Sequence, residues 1–500
     1  MNRPAGAVPV ALAALILCTG TLHSQGYRLR LDSRAQAAAY RGVRQDSVLV
    51  GNVVVGPTGG FQTAEGIFVR CAAGATHCFF FRPGPYRQGG PLVTTADLTL
   101  WGLGVPAVSL RVNARAGMDL GESDAWPGTD PPIQLLEAYA EYAPNRATVR
   151  LGRQFLTNRL GIIGVDGARG VVRSPRLGLE AEGYAGLGLA RATALSISSS
   201  ALDPLDDFQP RRRQWVAGGA IGWAARYGNL RFDYQREVER ESRQFGAERM
   251  ALSGELRLHS RWSVTAGAEY DLANTWFGNA DVTLRHVSPW ITAVVGARQY
   301  RPHFDLWTIW GAFSPVPYHA FSAQAWVRPI ARVELRGRWE RYAFSPADAQ
   351  TPLVTVDADG WRFGGGASFS PNDTWTFDLG YREEYGPGAS SHVFEGSVSA
   401  SPLPVLTVTA FGSTNERALE FRFEDSGVDV LGVQAEWRMS ERLRLSAGGA
   451  HYREDRRRPD VSGLDWNQTR LNARVTMLFG SDADHVPLPR AQRGRRRAGT

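Results

Sequence analysis

The feature that most constrains this chain is a two-residue rhythm of apolar and polar side chains, which runs for about ten residues, breaks at a short turn and starts again. It keeps one texture from Pro91 to Phe479, with no linker of proline, serine or charge to divide the region into domains. Val333, Leu335, Gly337 and Trp339 alternate with Glu334, Arg336, Arg338 and Glu340. Trp375, Phe377, Leu379 and Tyr381 alternate with Thr376, Asp378, Gly380 and Arg382, and Leu431, Val433, Ala435 and Trp437 with Gly432, Gln434, Glu436 and Arg438. Successive side chains of a strand point to opposite faces, so each segment is apolar on one side and wet on the other. The wet sides are too charged for a protein core. They face water outside a soluble sandwich, or water inside a membrane barrel.

Faces that agree across turns strengthen the strand assignment. Leu136, Ala138, Ala140 and Tyr142 share one face, and after Pro144 and Asn145 the return strand offers Ala147, Val149 and Leu151 to it. Glu137, Tyr139 and Glu141 then share the other face with Arg150. A turn with two central residues would set Tyr139 opposite Arg150. Around Tyr227 and Gly228 the same agreement holds, with Ile221, Trp223 and Ala225 beside Leu230, Phe232 and Tyr234, and with Arg231 and Asp233 on the far side. A slip of one residue would ruin both faces at once.

Turn lengths select the membrane solution. Tight turns at Pro144, Gly228, Ser260, Pro289, Pro329, Asn372 and Ser440 alternate with longer loops such as Gly121 to Pro131 and Arg240 to Gly246. Short periplasmic turns and longer extracellular loops are the arrangement of outer-membrane barrels. About ten residues at about 3.3 Å each, tilted by about 45°, rise close to the height of an apolar band of about 25 Å. Trp262, Trp290, Trp375, Tyr381 and Tyr385 lie near strand ends, where aromatic girdles are expected. The mature chain has no apolar run approaching the roughly 18 residues of a membrane helix. The expected fold is therefore all-β, a transmembrane antiparallel up-and-down barrel of about 20 to 22 strands.

The first 24 residues read as a secretory signal, with Arg3, an apolar run from Ala7 to Cys18 and a small-residue exit near Ser24. A lipoprotein site at Cys18 is disfavoured, because Leu15, Ile16 and Leu17 supply no small residue before it. Residues 25–90 hold either a first wall strand within Tyr27 to Tyr40 followed by a loop, or a plug. Residues 91–480 form the barrel. Cys71 and Cys78 are expected to form a local disulfide in an oxidising compartment, since His77 alone offers a further metal ligand nearby. The strand from Gly463 to Phe479 carries Leu471, Ala473, Val475, Met477 and Phe479 on one side and Arg470, Asn472, Arg474 and Thr476 on the other. It resembles a closing strand whose terminal aromatic is read by the assembly machinery, although here a basic tail, residues 481–500, follows Phe479.

All 56 basic residues are arginine, and the formal net charge is +7. Arginines and acids alternate closely along the strands instead of forming one basic face, so nucleic-acid binding is not expected. The segment LLEAYAEYAPNRATVRLGRQ from Leu135 to Gln154, with GVDGARG from Gly164 to Gly170, resembles a hairpin of porin families that include alginate-export and anion-selective channels. That resemblance implies an outer-membrane channel, passive or substrate-selective, and names no solute.

The expected pore-lining charges are Glu137, Glu141, Arg150, Arg231, Asp233, Glu334, Arg336, Arg338, Glu340, Asp378, Arg382, Glu436, Arg438, Arg470 and Arg474. Rings of charge at a constriction select ions, and equally, opposite charges can neutralise each other and stiffen the wall. The loop RPHFDLWTIWGAFSPVPY offers Arg301, His303, Phe304, Trp307, Trp310, Phe313 and Tyr318 for a constriction, or for an outer cap. The acidic pairs near Asp357 and Glu122 lack the spacing of a calcium loop. There is no HExxH, no Gly-x-Ser-x-Gly and no P-loop, so no enzyme, metal or cofactor is expected.

The expected function is diffusion of small hydrophilic or anionic solutes. A surface adhesion or scaffolding barrel with a blocked lumen is the alternative, and a hydrolase with a rim triad is less favoured. Expected surroundings are outer-membrane lipid and lipopolysaccharide, with the assembly machinery and small solutes as partners. An oligomer is left open.

Overall fold

The computed structural model describes residues 26–56, 60–121, 133–189, 214–240, 245–301, 318–345, 359–386, 389–420, 426–456 and 466–481. One antiparallel sheet holds almost all of them. It opens with β1 (Gly26–Leu49), whose far end is followed by a small ladder of β2 (Val54–Val55) with β3 (Phe61–Gln62). The chain returns as β4 (His77–Gly89) and β5 (Pro91–Trp101), which follow each other along one side of β1 and occupy a single place in the wall.

Each following strand pairs with its predecessor. These are β6 (Val108–Asp119), β7 (Ile133–Tyr142), β8 (Ala147–Asn158), β9 (Gly161–Ser174), β10 (Leu179–Gly188), β11 (Gln214–Ala225), β12 (Gly228–Glu239), β13 (Phe245–His259), β14 (Trp262–Asp271) and β15 (Trp276–Val287). The series ends with β16 (Ile291–Tyr300), β17 (Tyr318–Ile330), β18 (Val333–Phe344), β19 (Asp359–Phe369), β20 (Trp375–Gly386), β21 (Ala389–Leu403), β22 (Leu406–Glu420), β23 (Ser426–Arg438), β24 (Leu443–Arg456) and β25 (Trp466–Gly480). β25 pairs back onto β1 from Arg28↔Gly480 to Ala38↔Arg470, which closes a barrel of 22 wall positions. Closure leaves the first and last strands without a free edge where they meet, the arrangement a sheet surrounded by lipid requires.

Both described ends of the chain, Gly26 and Gly480, lie at one rim. So do all seven tight turns read from the sequence, including the two-residue turns at 226–227, 260–261 and 331–332. The strand ends that flank residues 120–132, 189–213, 301–317 and 345–358 all lie at the other rim. The disulfide Cys71–Cys78 also belongs to that end, where residues 50–76 join β1 to β4. The segment before Pro91 thus contributes strands to the wall, and the sheet begins at Gly26.

Leu431, Leu471, Ile221, Val172 and Leu151 stand on the outer surface and are exposed. Trp223, Trp262, Trp290, Trp375 and Trp437 ring the outside near the short-turn rim, and Trp215 and Tyr385 stand near the long-loop rim. Among the described residues no helix is long and apolar enough to cross a membrane. One register differs from expectation. The β7–β8 turn spans four residues, so Glu141 and not Tyr139 lies opposite Arg150, while Tyr139 faces Gly152.

Candidate functional site

By strand alternation the charge-ladder residues share the face of the sheet opposite the exposed Leu151, Ile221, Leu431 and Leu471, and their neighbours differ around that face. On β17 to β21 the charges are matched. Glu340 lies between Arg298 (3.0 Å) and Arg362 (2.7 Å), and Arg362 reaches Glu384 at 2.8 Å. Arg336 pairs with Asp378 at 2.6 Å, Arg382 with Glu395 at 3.4 Å, and Glu334 with Arg328 at 2.6 Å. Arg338 has no ion-pair partner among the described residues. The other guanidiniums here meet carboxylates across the strands, which largely neutralises this wall and stiffens it.

On β23, β24, β25 and β1 arginine is in excess. Asp32 is 8% exposed and is shared by Arg34 (3.0 Å), Arg30 (3.7 Å) and Arg474, whose Nε donates to both carboxylate oxygens at 3.0 and 2.9 Å. The Thr476 hydroxyl donates to the same carboxylate at 3.2 Å. Glu436 takes only Arg444, at 3.3 Å. Arg438 donates to the Pro404 carbonyl at 3.3 Å, and Arg470 lies over the Tyr452 ring, 4.6 Å from its centroid. Arg30, Arg34, Arg444 and Arg474 border a recess of about 280 Å³ on this wall, which Glu436 also lines together with the neutral Gln36, Gln434 and Asn472.

Half-way round the barrel, β12 to β15 carry the acids Asp233, Glu237, Glu269, Asp271 and Asp281 on the lumen face. Arg231 binds Asp233 (2.9 Å) and Glu182 (2.8 Å), and Glu182 also accepts from Arg169 at 2.7 Å. On the first strands Glu141 meets Arg150 at 2.5 Å, and Arg111 lies between Asp97 (3.1 Å) and Glu137 (3.5 Å).

A closed sheet with charge inside, apolar side chains outside and tryptophan near its rim can be placed in only one solvent pair, water within and lipid around. The fold is that of an outer-membrane β-barrel. No protein-family model matches the chain, and no curated protein matches it. Among solved structures the barrel is similar to a BenF-like porin from Pseudomonas fluorescens Pf-5 (10% identity over 91% of this chain and 99% of that one, TM-score 0.42). It is similar also to the outer membrane protein OpdK from Pseudomonas aeruginosa (11% identity, 91% and 99%, TM-score 0.38) and to the ferric enterobactin receptor PfeA from the same organism (9% identity, 90% and 81%, TM-score 0.47).

The expected constriction loop is only partly in view. His303, Phe304, Trp307, Trp310 and Phe313 lie outside the described residues, as do Glu122, Asp124, Asp130 and Asp357, while Asp359 pairs with Arg341 at 2.8 Å. Of the loop's flanks, Arg301 stacks on the Trp276 ring, 3.7 Å from its centroid, and Tyr318 packs against Tyr300 and Phe344.

The structure instead sends a hairpin inward that the sequence did not mark. The two-residue turn Arg159–Leu160 between β8 and β9 sits among the long connections, and it reaches strands β13 to β15. Arg159 Nη2 donates to Asp281, its Nε lies 4.0 Å from Glu269, and the Leu160 carbonyl accepts from Arg249 at 3.1 Å. The guanidinium lies directly over Gly267, where a Cβ would fall 2.2 Å from Arg159 Nη1. Behind the tip, Leu156, Ile163 and Val165 pack with Tyr184 and Val216 into a buried apolar cluster within the barrel. The only sequence hint was the shortness of that turn at a rim of long loops.

Proposed function

We propose that the barrel is an outer-membrane channel for small hydrophilic solutes that carry negative charge, carboxylates or phosphates in particular. The observation that carries this reading is the single carboxylate of Asp32 shared by Arg30, Arg34 and Arg474. Three guanidiniums on one acid leave positive charge and unused donors facing the lumen, and arginine's planar fork suits carboxylate and phosphate oxygens. The matched ladder of β17 to β21 serves the wall's rigidity in this reading. The short-turn rim belongs to the periplasm and the long connections to the outside, and Phe479, outward at the foot of β25 opposite Leu29, is the aromatic that assembly reads.

Recordings from the refolded barrel in planar bilayers test the proposal. The expected result is a stable conductance whose reversal potential in a potassium chloride gradient favours chloride. A sealed barrel, or a cation-preferring one, would overturn it.

A further inference from the structure

The wall is not uniformly closed. β7 and β8 pair only from Ala138↔Arg153 to Tyr142↔Val149, yet both strands continue beyond that point toward the long-loop rim. β7 stays with β6 as far as Ala116↔Ile133, and β8 stays with β9 as far as Asn158↔Gly161. The two edges therefore part above Arg153. The parting begins at Gly152, whose φ of +129° is open to glycine, and a Cβ there would fall 2.2 Å from the Ala138 carbonyl oxygen. From this bend the β8–β9 hairpin leans away from β7 and into the lumen, where Arg159 and Leu160 hold it.

Arg153 occupies the resulting seam. It shares the outward face with Leu151, yet each guanidinium nitrogen makes a hydrogen bond: Nε and Nη2 donate to Asp166 at 2.7 and 2.8 Å, and Nη1 donates to the Leu135 carbonyl at 2.9 Å. That last bond replaces a ladder bond that the β7 edge has lost. An outward arginine in the apolar band of a bilayer is unfavourable, and here Asp166 beside it offsets the charge, so the pair's presence at a wall joint calls for a role. Around it the side chains of the outer face are apolar apart from Asp166, and the side chains behind it are buried. Leu135 and Ile162 are exposed outside, and Leu156 and Ile163 belong to the buried cluster inside.

We propose that this seam is a lateral portal through which a single-chain amphiphile with an anionic head leaves the lumen for the bilayer. The apolar track from the inner cluster to the outer wall accepts the tail. Arg153 exchanges the Leu135 carbonyl for the head group as the edges part, so its donors stay satisfied throughout. The portal rests on the channel reading for the supply of anions to the lumen, and it adds an exit.

Oleate is the probe, and the test uses full-length barrel in vesicles carrying cysteines at Leu135 and Phe155, with and without a bismaleimide across the seam. Chloride conductance is measured on the same protein, and the single-cysteine variants control for labelling. The expected result is that cross-linking lowers oleate transfer into the bilayer at least tenfold while chloride conductance changes less than twofold. Arg153→Ala, which removes the latch, is expected to raise transfer in the unlocked protein. Conductance with no oleate transfer, or transfer that persists through the lock, overturns the portal alone. A barrel with neither conductance nor transfer overturns the channel reading together with it.

Discussion

Asp32 gives the channel reading a test in which two perturbations of one cluster must move selectivity in opposite directions. Asp32→Asn removes the acid shared by Arg30, Arg34 and Arg474 and adds one positive charge to the wall; Arg34→Gln with Arg474→Gln removes two. For an ion passing about 10 Å from the cluster in water, one unit charge contributes about 0.4 kcal/mol, which is about a twofold change in local concentration. Anions and cations respond in opposite senses, so the chloride-to-potassium permeability ratio changes by about fourfold per charge on the same estimate. Asp32→Asn should therefore raise the ratio about fourfold, and the double variant should lower it by up to about sixteenfold. Reversal potentials are best taken near 10 mM salt, where the screening length is about 30 Å, and the shifts should shrink toward 1 M. If both variants conduct normally and neither moves the reversal potential, the three-arginine cluster does not govern selectivity and the argument fails.

Three further outcomes follow from the wall itself. Gly152→Ala should destabilise the barrel by about 1–3 kcal/mol or more, because a side chain is forced into a left-handed backbone against the Ala138 carbonyl; the midpoint of heat-dependent migration on gels reports it. Val433→Arg on the outer face should cost about 2–4 kcal/mol in reversible folding into vesicles, whereas Gln434→Arg, one residue on and facing the lumen, should fold like the parent. Arg159→Ala should free the hairpin tip and raise both conductance and current noise, and adding Asp281→Asn should change little more, since the pair acts as one contact in a double-mutant cycle. An additive double variant would argue that the two residues act separately.

Much of the architecture is legible in the sequence because a barrel is built from local signals. Alternation at Trp375 to Arg382 or Leu431 to Arg438 fixes which side is wet, and turn residues at Pro144 or Ser260 place the rim. The register at β7–β8 departs from the sequence expectation because the turn uses four residues, and a period of two cannot distinguish a shift by two. The β4 and β5 segments were obscure for a similar reason, since two strands share one place beside a long β1. The inward hairpin and the seam depend on contacts between distant parts of the chain. Arg159 meets Asp281 across 122 positions, and nothing in the neighbourhood of either residue announces the other. The charge excess near Asp32 was hidden in the same way, because the ladder was read strand by strand and the imbalance exists only after the strands are placed side by side.

The ion pair between Asp32 and Arg474 spans 442 positions and joins the first strand to the last. Contacts of such separation form late and slowly, because the intervening chain must be ordered before they give any return. In a half-built sheet Arg470 and Arg474 have no β1 beside them, and Asp32 has only its own neighbours Arg30 and Arg34. The arginine cluster proposed to distinguish anions is therefore completed only when the first and last strands meet. An export intermediate would be blind to solute charge, and a bacterium's outer membrane would acquire selectivity in the same step that seals the wall.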